Sequence, residues 1–171
     1  MLKGEDIVVL LKLTANSPAW TVRLLEAEIA IPRSVIQRSL VRLEQAGLLE
    51  EGRHRVNVGR AEELLVHGVK YMFPAKWGGE TRGVPTAWAA PPLQEKFADS
   101  GELPPVWPDA MGSVRGIALE PLHESALEIS RRDPALTELL TLIDGIRLGD
   151  ARVRGLAEEL LRSRLGVAAA A

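Results

Sequence analysis

A chain of 171 residues, 46% of them hydrophobic, is long enough to bury a core and is expected to form one or two small domains. A net charge of −2 excludes a uniformly basic nucleic-acid binder, so any contact with DNA must come from a local patch. The absence of cysteine excludes disulfides, thiolate zinc sites and thiol catalysis. Through Val58 there are eight lysines and arginines against seven acids, leaving thirteen against sixteen beyond it, and the early bases fall in two short runs. No stretch approaches the roughly 18 apolar residues of a membrane span. The opening Met-Leu-Lys-Gly-Glu-Asp lacks a signal-peptide layout, so a cytoplasmic protein without membrane association is expected.

In chain order, Glu5 to Ala15 is predicted as a first helix with Ile7, Leu10, Leu11 and Thr14 on one side, closed by a turn at Asn16-Ser17-Pro18. Thr21 is positioned to cap a second helix, Val22 to Ala30, with Val22, Leu25 and Ile29 inward. Pro32 suits the start of a third helix, which Gly47 is placed to end in a left-handed cap. In this third helix Ile36, Leu40 and Leu43 recur at i, i+4, i+7, one apolar stripe against a core. Arg33, Ser34, Gln37, Arg38 and Arg42 lie on its other side. Such a face is shaped for a DNA major groove, where Arg grips guanine, Gln pairs with adenine and Ser serves either a base or a phosphate. A plain solvated face is the competing reading. Beyond Gly47, Leu48-Leu49 and Arg53 to Val58 are predicted as two short strands around a Glu51-Gly52 turn, with Arg53, His54 and Arg55 near the tip.

Helix, helix, turn, helix and basic hairpin is the order of a winged helix-turn-helix. The run from Thr21 to Leu49 resembles the winged-helix core of bacterial transcriptional regulators of the MarR/IclR-like type, keeping Thr21, Ser34, Ile36, Leu40, Leu43, Glu44, Gly47 and Leu48 of the usual pattern. It departs from the pattern at Leu24, where a polar residue is common, at Ala30, where glycine is common, and at Pro32, where a capping Ser or Thr is common. The resemblance covers residues 5–58. It implies that the helix from Pro32 reads the major groove through Arg33, Ser34, Gln37 and Arg38. Thr21 and Arg42 would then hold phosphates, and Arg53 and Arg55 would reach the backbone or minor groove.

Ala61 to Phe73 is predicted as a helix stopped by Pro74. Residues 74–115 hold seven prolines and three tryptophans with several glycines and are predicted as an ordered, irregular wrap lying over the helices. In it, Arg82 is a candidate for an anionic ligand or a partner carboxylate, and more simply for capping backbone carbonyls. Trp77 and Trp88 are candidates for the same ligand or partner contact. From Gly116 the chain is predicted helical, with Leu119, Leu122, Ala126 and Ile129 in one stripe. Asp133-Pro134 launches a helix, Asp150 caps a last one, and residues 166–171 fray. The three histidines are scattered without metal-site spacing, and no nucleophile motif is present, so neither a metal, a cofactor nor an enzymatic role is expected.

The expected fold is therefore mainly α: a winged helix-turn-helix with its following helix (1–73), a Pro/Gly/Trp-rich wrap (74–115) and a helical C-terminal region (116–171). The expected function is sequence-specific duplex-DNA binding by a transcriptional repressor, reading two half-sites as a homodimer. The alternative is an antitoxin-like or other interaction module whose C-terminal half binds a partner protein, because the fold alone does not fix the role.

Overall fold

The computed structural model describes residues 1–15, 20–52, 55–97 and 100–167. The fold is mainly α with a small three-stranded sheet. Helix α1 (Gly4–Ala15) carries the run Ile7-Val8-Val9-Leu10-Leu11, every residue of which is fully buried. A helix apolar on all sides must be surrounded by other elements, and α1 packs between the third helix and the C-terminal helices. The predicted turn at Asn16-Ser17-Pro18 lies outside the described residues.

Helix α2 (Val22–Ile29) begins where the Thr21 hydroxyl oxygen accepts the Leu24 N–H at 3.1 Å. It ends at Ala30, held at φ 54°, a left-handed conformation. Helix α3 (Arg33–Gln45) buries Ile36, Leu40 and Leu43 and ends in paired bonds, Gly47 N–H to the Glu44 carbonyl and Leu48 N–H to the Leu43 carbonyl, both 2.9 Å. Gly47 takes φ 73°, the conformation this termination requires. The chain then doubles back. Leu49 pairs with Val56, the Glu50 N–H donates to the Arg55 carbonyl and the Asn57 N–H to the Leu48 carbonyl, both at 2.8 Å. The Glu44 carboxylate accepts the Gly52 N–H, fastening the turn of this hairpin to α3.

The next helix starts earlier than predicted, because Asn57 accepts the Arg60 N–H at 3.1 Å and so begins α4 (Val58–Glu63). A π turn over Leu64–Gly68 widens the helix before α5 (Val69–Met72).

Residues 74–115 are not an irregular wrap. Strand β1 (Trp77–Pro85) is followed by the short helix α6 (Gln94–Phe97), β2 (Pro105–Pro108) and β3 (Val114–Leu119), and each strand pairs with both others. β1 is antiparallel to β2 and to β3, whereas β2 and β3 run parallel through Pro105↔Ile117 and Val106↔Ala118. Pro85, Pro105 and Pro108 stand at strand ends, where a missing ladder N–H is tolerated. A ring of only three strands also needs close backbones: a Cβ on Gly83 would lie 2.1 Å from the Trp107 carbonyl oxygen, and one on Gly116 2.1 Å from that of Pro104. The helix predicted from Gly116 is corrected too. Leu119 belongs to β3, and α7 (Ala126–Arg132) begins only after a turn. Pairing with β1, from Gly83↔Val114 to Trp77↔Leu119 and so some thirty to forty residues upstream, decided against the helical spacing.

Helix α8 (Pro134–Arg147) starts as predicted, with Asp133 accepting the Leu136 N–H at 3.0 Å and Pro134 in the first turn. Helix α9 (Ala151–Leu165) starts at Asp150, which accepts two N–H groups, and ends at Gly166 with φ 74°. The predicted fraying falls in part on residues 168–171, outside the described residues. A single core joins α1, α3 and α8 with Leu93 and Trp107 of the middle segment.

The N-terminal and C-terminal helices are also tied by charge. The Lys12 ammonium lies 2.5 Å from the Asp133 carboxylate and 2.7 Å from Glu28 of α2. Burial acts against the Lys12 charge, but its hydrogen bonds to Asp133 and Glu28 outweigh burial and raise its pKa. Burial likewise acts against the Asp133 charge, yet Lys12 and the Leu136 N–H outweigh it and lower its pKa. The lowered Asp133 contributes stability above its unfolded value, about 3.9, that is lost as pH falls through the folded value. The raised Lys12 contributes stability below about 10.4 that is lost as pH rises through its own folded value. Lys12→Met should therefore cost about 1–3 kcal/mol across the neutral range. Melting curves of parent and variant should converge towards both pH extremes, and a gap independent of pH would remove this role.

Candidate nucleic-acid interface

The outward side of α3 carries Ser34, Gln37 and Arg38, all exposed, together with Val41, which is 52% exposed. Ser34, Gln37, Arg38, Val41 and Arg42 line one shallow cleft of about 480 Å³ along the helix. The side chains of Gln37 and Arg38 have no hydrogen-bond or ion-pair partner among the described residues. The face exists because Ile36, Leu40 and Leu43 hold the other side of the helix in the core. Thr21, at the start of α2, is exposed, and its hydroxyl oxygen accepts the capping bond while its proton remains available to donate.

Arg42 does not belong to this free face. Its guanidinium forks onto the fully buried Asp6, Nε to Oδ2 at 2.8 Å and Nη2 to Oδ1 at 2.7 Å, and reaches Glu5 at 3.4 Å. The hydrogen bond to Asp6, against a smaller opposing effect of burial, raises the Arg42 pKa further. A guanidinium engaged twice inside the protein serves the fold, and the phosphate-holding role expected for Arg42 would require it to leave Asp6.

Arg33 is exposed but shares Glu26 of α2. The Arg33 N–H donates to Glu26 Oε1 at 3.0 Å and its guanidinium lies 3.4 Å from Oε2. Pro32 makes no side-chain cap, and Glu26 supplies the missing acceptor at the α3 N-terminus. An isolated helix pattern hides this pairing, since the two residues meet only across the turn. At the hairpin, Arg55 is exposed beside the turn. Arg53 and His54 lie outside the described residues.

The Trp/Arg candidates of the middle segment separate. Trp77 and Trp88 share a cleft of about 470 Å³ with Phe97, Leu103 and Arg152, whose guanidinium sits 5.5 Å from the Phe97 ring centre. Arg82 lies elsewhere, exposed on β1 opposite Arg115, and its guanidinium caps no carbonyl among the described residues. Asp144 of α8, which sequence reasoning did not single out as a site residue, is fully enclosed. It accepts from the Thr86 hydroxyl at 2.6 Å, from Trp107 Nε1 at 2.8 Å and from Arg147 at 2.7 Å. Its place one turn after Leu140, beside Ile143, was the signal that it faces inward.

Among the described residues no group of three or more His, Asp or Glu side chains is arranged to hold a metal ion, and no helix is long and apolar enough to cross a membrane. Compared with protein-family models, with curated proteins and with solved structures, the chain matches none of them.

Proposed function

We propose that residues 4–57 form a winged helix-turn-helix module that lays α3 in the major groove of duplex DNA, and that the protein is a transcriptional regulator acting as a repressor. The observation that carries this reading is the outward row Ser34, Gln37, Arg38, without side-chain partners among the described residues, on a helix whose opposite side is locked in the core. Arg38 would grip a guanine edge through two N–H donors and Gln37 an adenine, with the Val41 methyls available to a thymine methyl. Ser34 and Thr21 would hold phosphates, and Arg55 would meet the backbone beside the hairpin that Glu44 fastens. Arg33 would join only when a phosphate or base displaces Glu26 from it. One module with so few contacts gives modest affinity, so a homodimer reading two half-sites completes the proposal.

The test is binding to the DNA just upstream of the protein's own gene, titrated across salt against a scrambled duplex. Arg38→Ala should weaken specific binding by roughly 1–3 kcal/mol, about 5- to 150-fold, with an unchanged circular dichroism spectrum. Equal affinity of parent and variant would remove α3 from the groove. A second reading, a module that only docks a partner protein and does not bind DNA, draws on the apolar side chains Leu24 and Val41 exposed on α2 and α3 and on the Trp77–Trp88 cleft. It predicts negligible DNA binding at any salt.

A further inference from the structure

Glu26 of α2 lies where the proposed reading face begins. From Thr21 to Arg42 the chain carries two acids, Glu26 and Glu28, against four arginines. Glu28 is spoken for, 2.7 Å from the Lys12 ammonium. Glu26 reaches across the turn at residues 30–32 instead. Its Oε1 accepts the Arg33 N–H at 3.0 Å, and its Oε2 lies 3.4 Å from the Arg33 guanidinium. The segment that carries it is anchored. Arg132 of α7 donates to the Ala27 carbonyl at 3.1 Å, and Asp133 shares Lys12 with Glu28, so both residues after Glu26 are held by the C-terminal half. Capping the Arg33 N–H needs only an acceptor oxygen, which an amide supplies as well as a carboxylate. The negative charge does something more: it stands beside a surface offered to phosphates and occupies a guanidinium suited to grip them.

We propose that Glu26 is a specificity-determining residue: its carboxylate keeps Arg33 off the phosphates of an arbitrary duplex and yields it only where α3 is fully seated in the groove. This rests on the DNA-reading function proposed above. Binding to arbitrary sequence is carried by phosphate contacts, so an arginine held back beside a carboxylate weakens it most. On a matched sequence the groove contacts of Gln37 and Arg38 draw α3 in, and a phosphate or guanine edge then replaces Glu26 as the partner of Arg33. With the Glu26 and Arg33 side chains 40% and 53% exposed, the pair is weak and open to that exchange. A repulsive element of this kind acts against the wrong sequences and costs the right one little.

The experiment compares the full chain with Glu26→Gln, Arg33→Ala and the double variant, by fluorescence anisotropy across salt. The two probes are the duplex from upstream of the protein's own gene and its scrambled counterpart. Glu26→Gln removes the charge and keeps an acceptor for the Arg33 N–H, so the fold should be unchanged by circular dichroism. It should tighten the scrambled duplex about five- to tenfold and steepen its salt slope by about one. The upstream duplex should tighten by less than about twofold, so that discrimination falls. Arg33→Ala alone should leave the scrambled duplex within about twofold of the parent, and in the double variant the gain from Glu26→Gln should vanish. A gain that survives Arg33→Ala is a plain loss of repulsion and overturns the proposal, as do equal gains on both duplexes or no gain at all. A parent that discriminates but is unmoved by Glu26→Gln loses only this role for Glu26. A parent that binds neither duplex, or both alike, overturns the DNA-reading function and this inference with it.

Discussion

Asp144→Ala should cost about 3–5 kcal/mol of folding stability, read as a lowered urea midpoint. The Asp144 carboxylate accepts from Thr86, Trp107 and Arg147, and Arg147 goes on to donate to the Phe73 carbonyl at 2.7 Å and the Glu120 carbonyl at 3.3 Å. One carboxylate thus connects α8 to two parts of the barrel, and through Arg147 to the end of α5 and the exit of β3. Alanine at this position strands a buried guanidinium together with an indole N–H and a hydroxyl. The penalty is the loss of the acceptor of the hydroxyl and the indole N–H, and of the carboxylate that balances the guanidinium charge, rather than the worth of any one bond. Asp144→Asn should fall between the two, because it keeps the shape but offers one acceptor oxygen to three donors. A midpoint shift of only a few tenths of a kcal/mol for Asp144→Ala would show that the barrel docks on α8 by apolar contact alone.

Arg42→Ala should be comparably damaging, about 3–5 kcal/mol, because it leaves Asp6 buried with little beyond the Lys3 N–H at 2.8 Å to balance its charge. Replacing both partners by apolar groups, Asp6→Leu with Arg42→Met, should recover most of the loss, since no uncompensated charge remains. This pair also separates two roles for the residue. A phosphate contact predicts that the stable double variant loses about one unit of the salt slope of DNA binding. A structural role predicts the parent's slope, and that is the expected result.

The legible parts of the fold were those written in neighbouring residues. Thr21, Gly47, Asp133-Pro134 and Asp150 each begin or end a helix through bonds to residues a few positions away, and the structure places the boundaries there. The barrel was illegible for the opposite reason. Its strands are stabilised by partners far along the chain, and the same prolines and glycines that announce loops serve as strand ends and close-contact points. The outward row of α3 could be read from helical period, but which of its arginines were free could not. Arg42 meets Asp6 thirty-six positions earlier and Arg33 meets Glu26 across a turn, both pairings of the folded state.

Helix α1 has a consequence for how the molecule can be divided. Its fully buried run faces α3 on one side and α8 on the other. A fragment ending at Phe73 would turn that second side, now dry, into an open greasy strip on an otherwise intact helix, and such strips drive self-association. The first seventy-odd residues are therefore no detachable cassette. Shuffled onto another protein, by gene fusion or by evolution, they would need a new cover for α1 before they could act as anything at all.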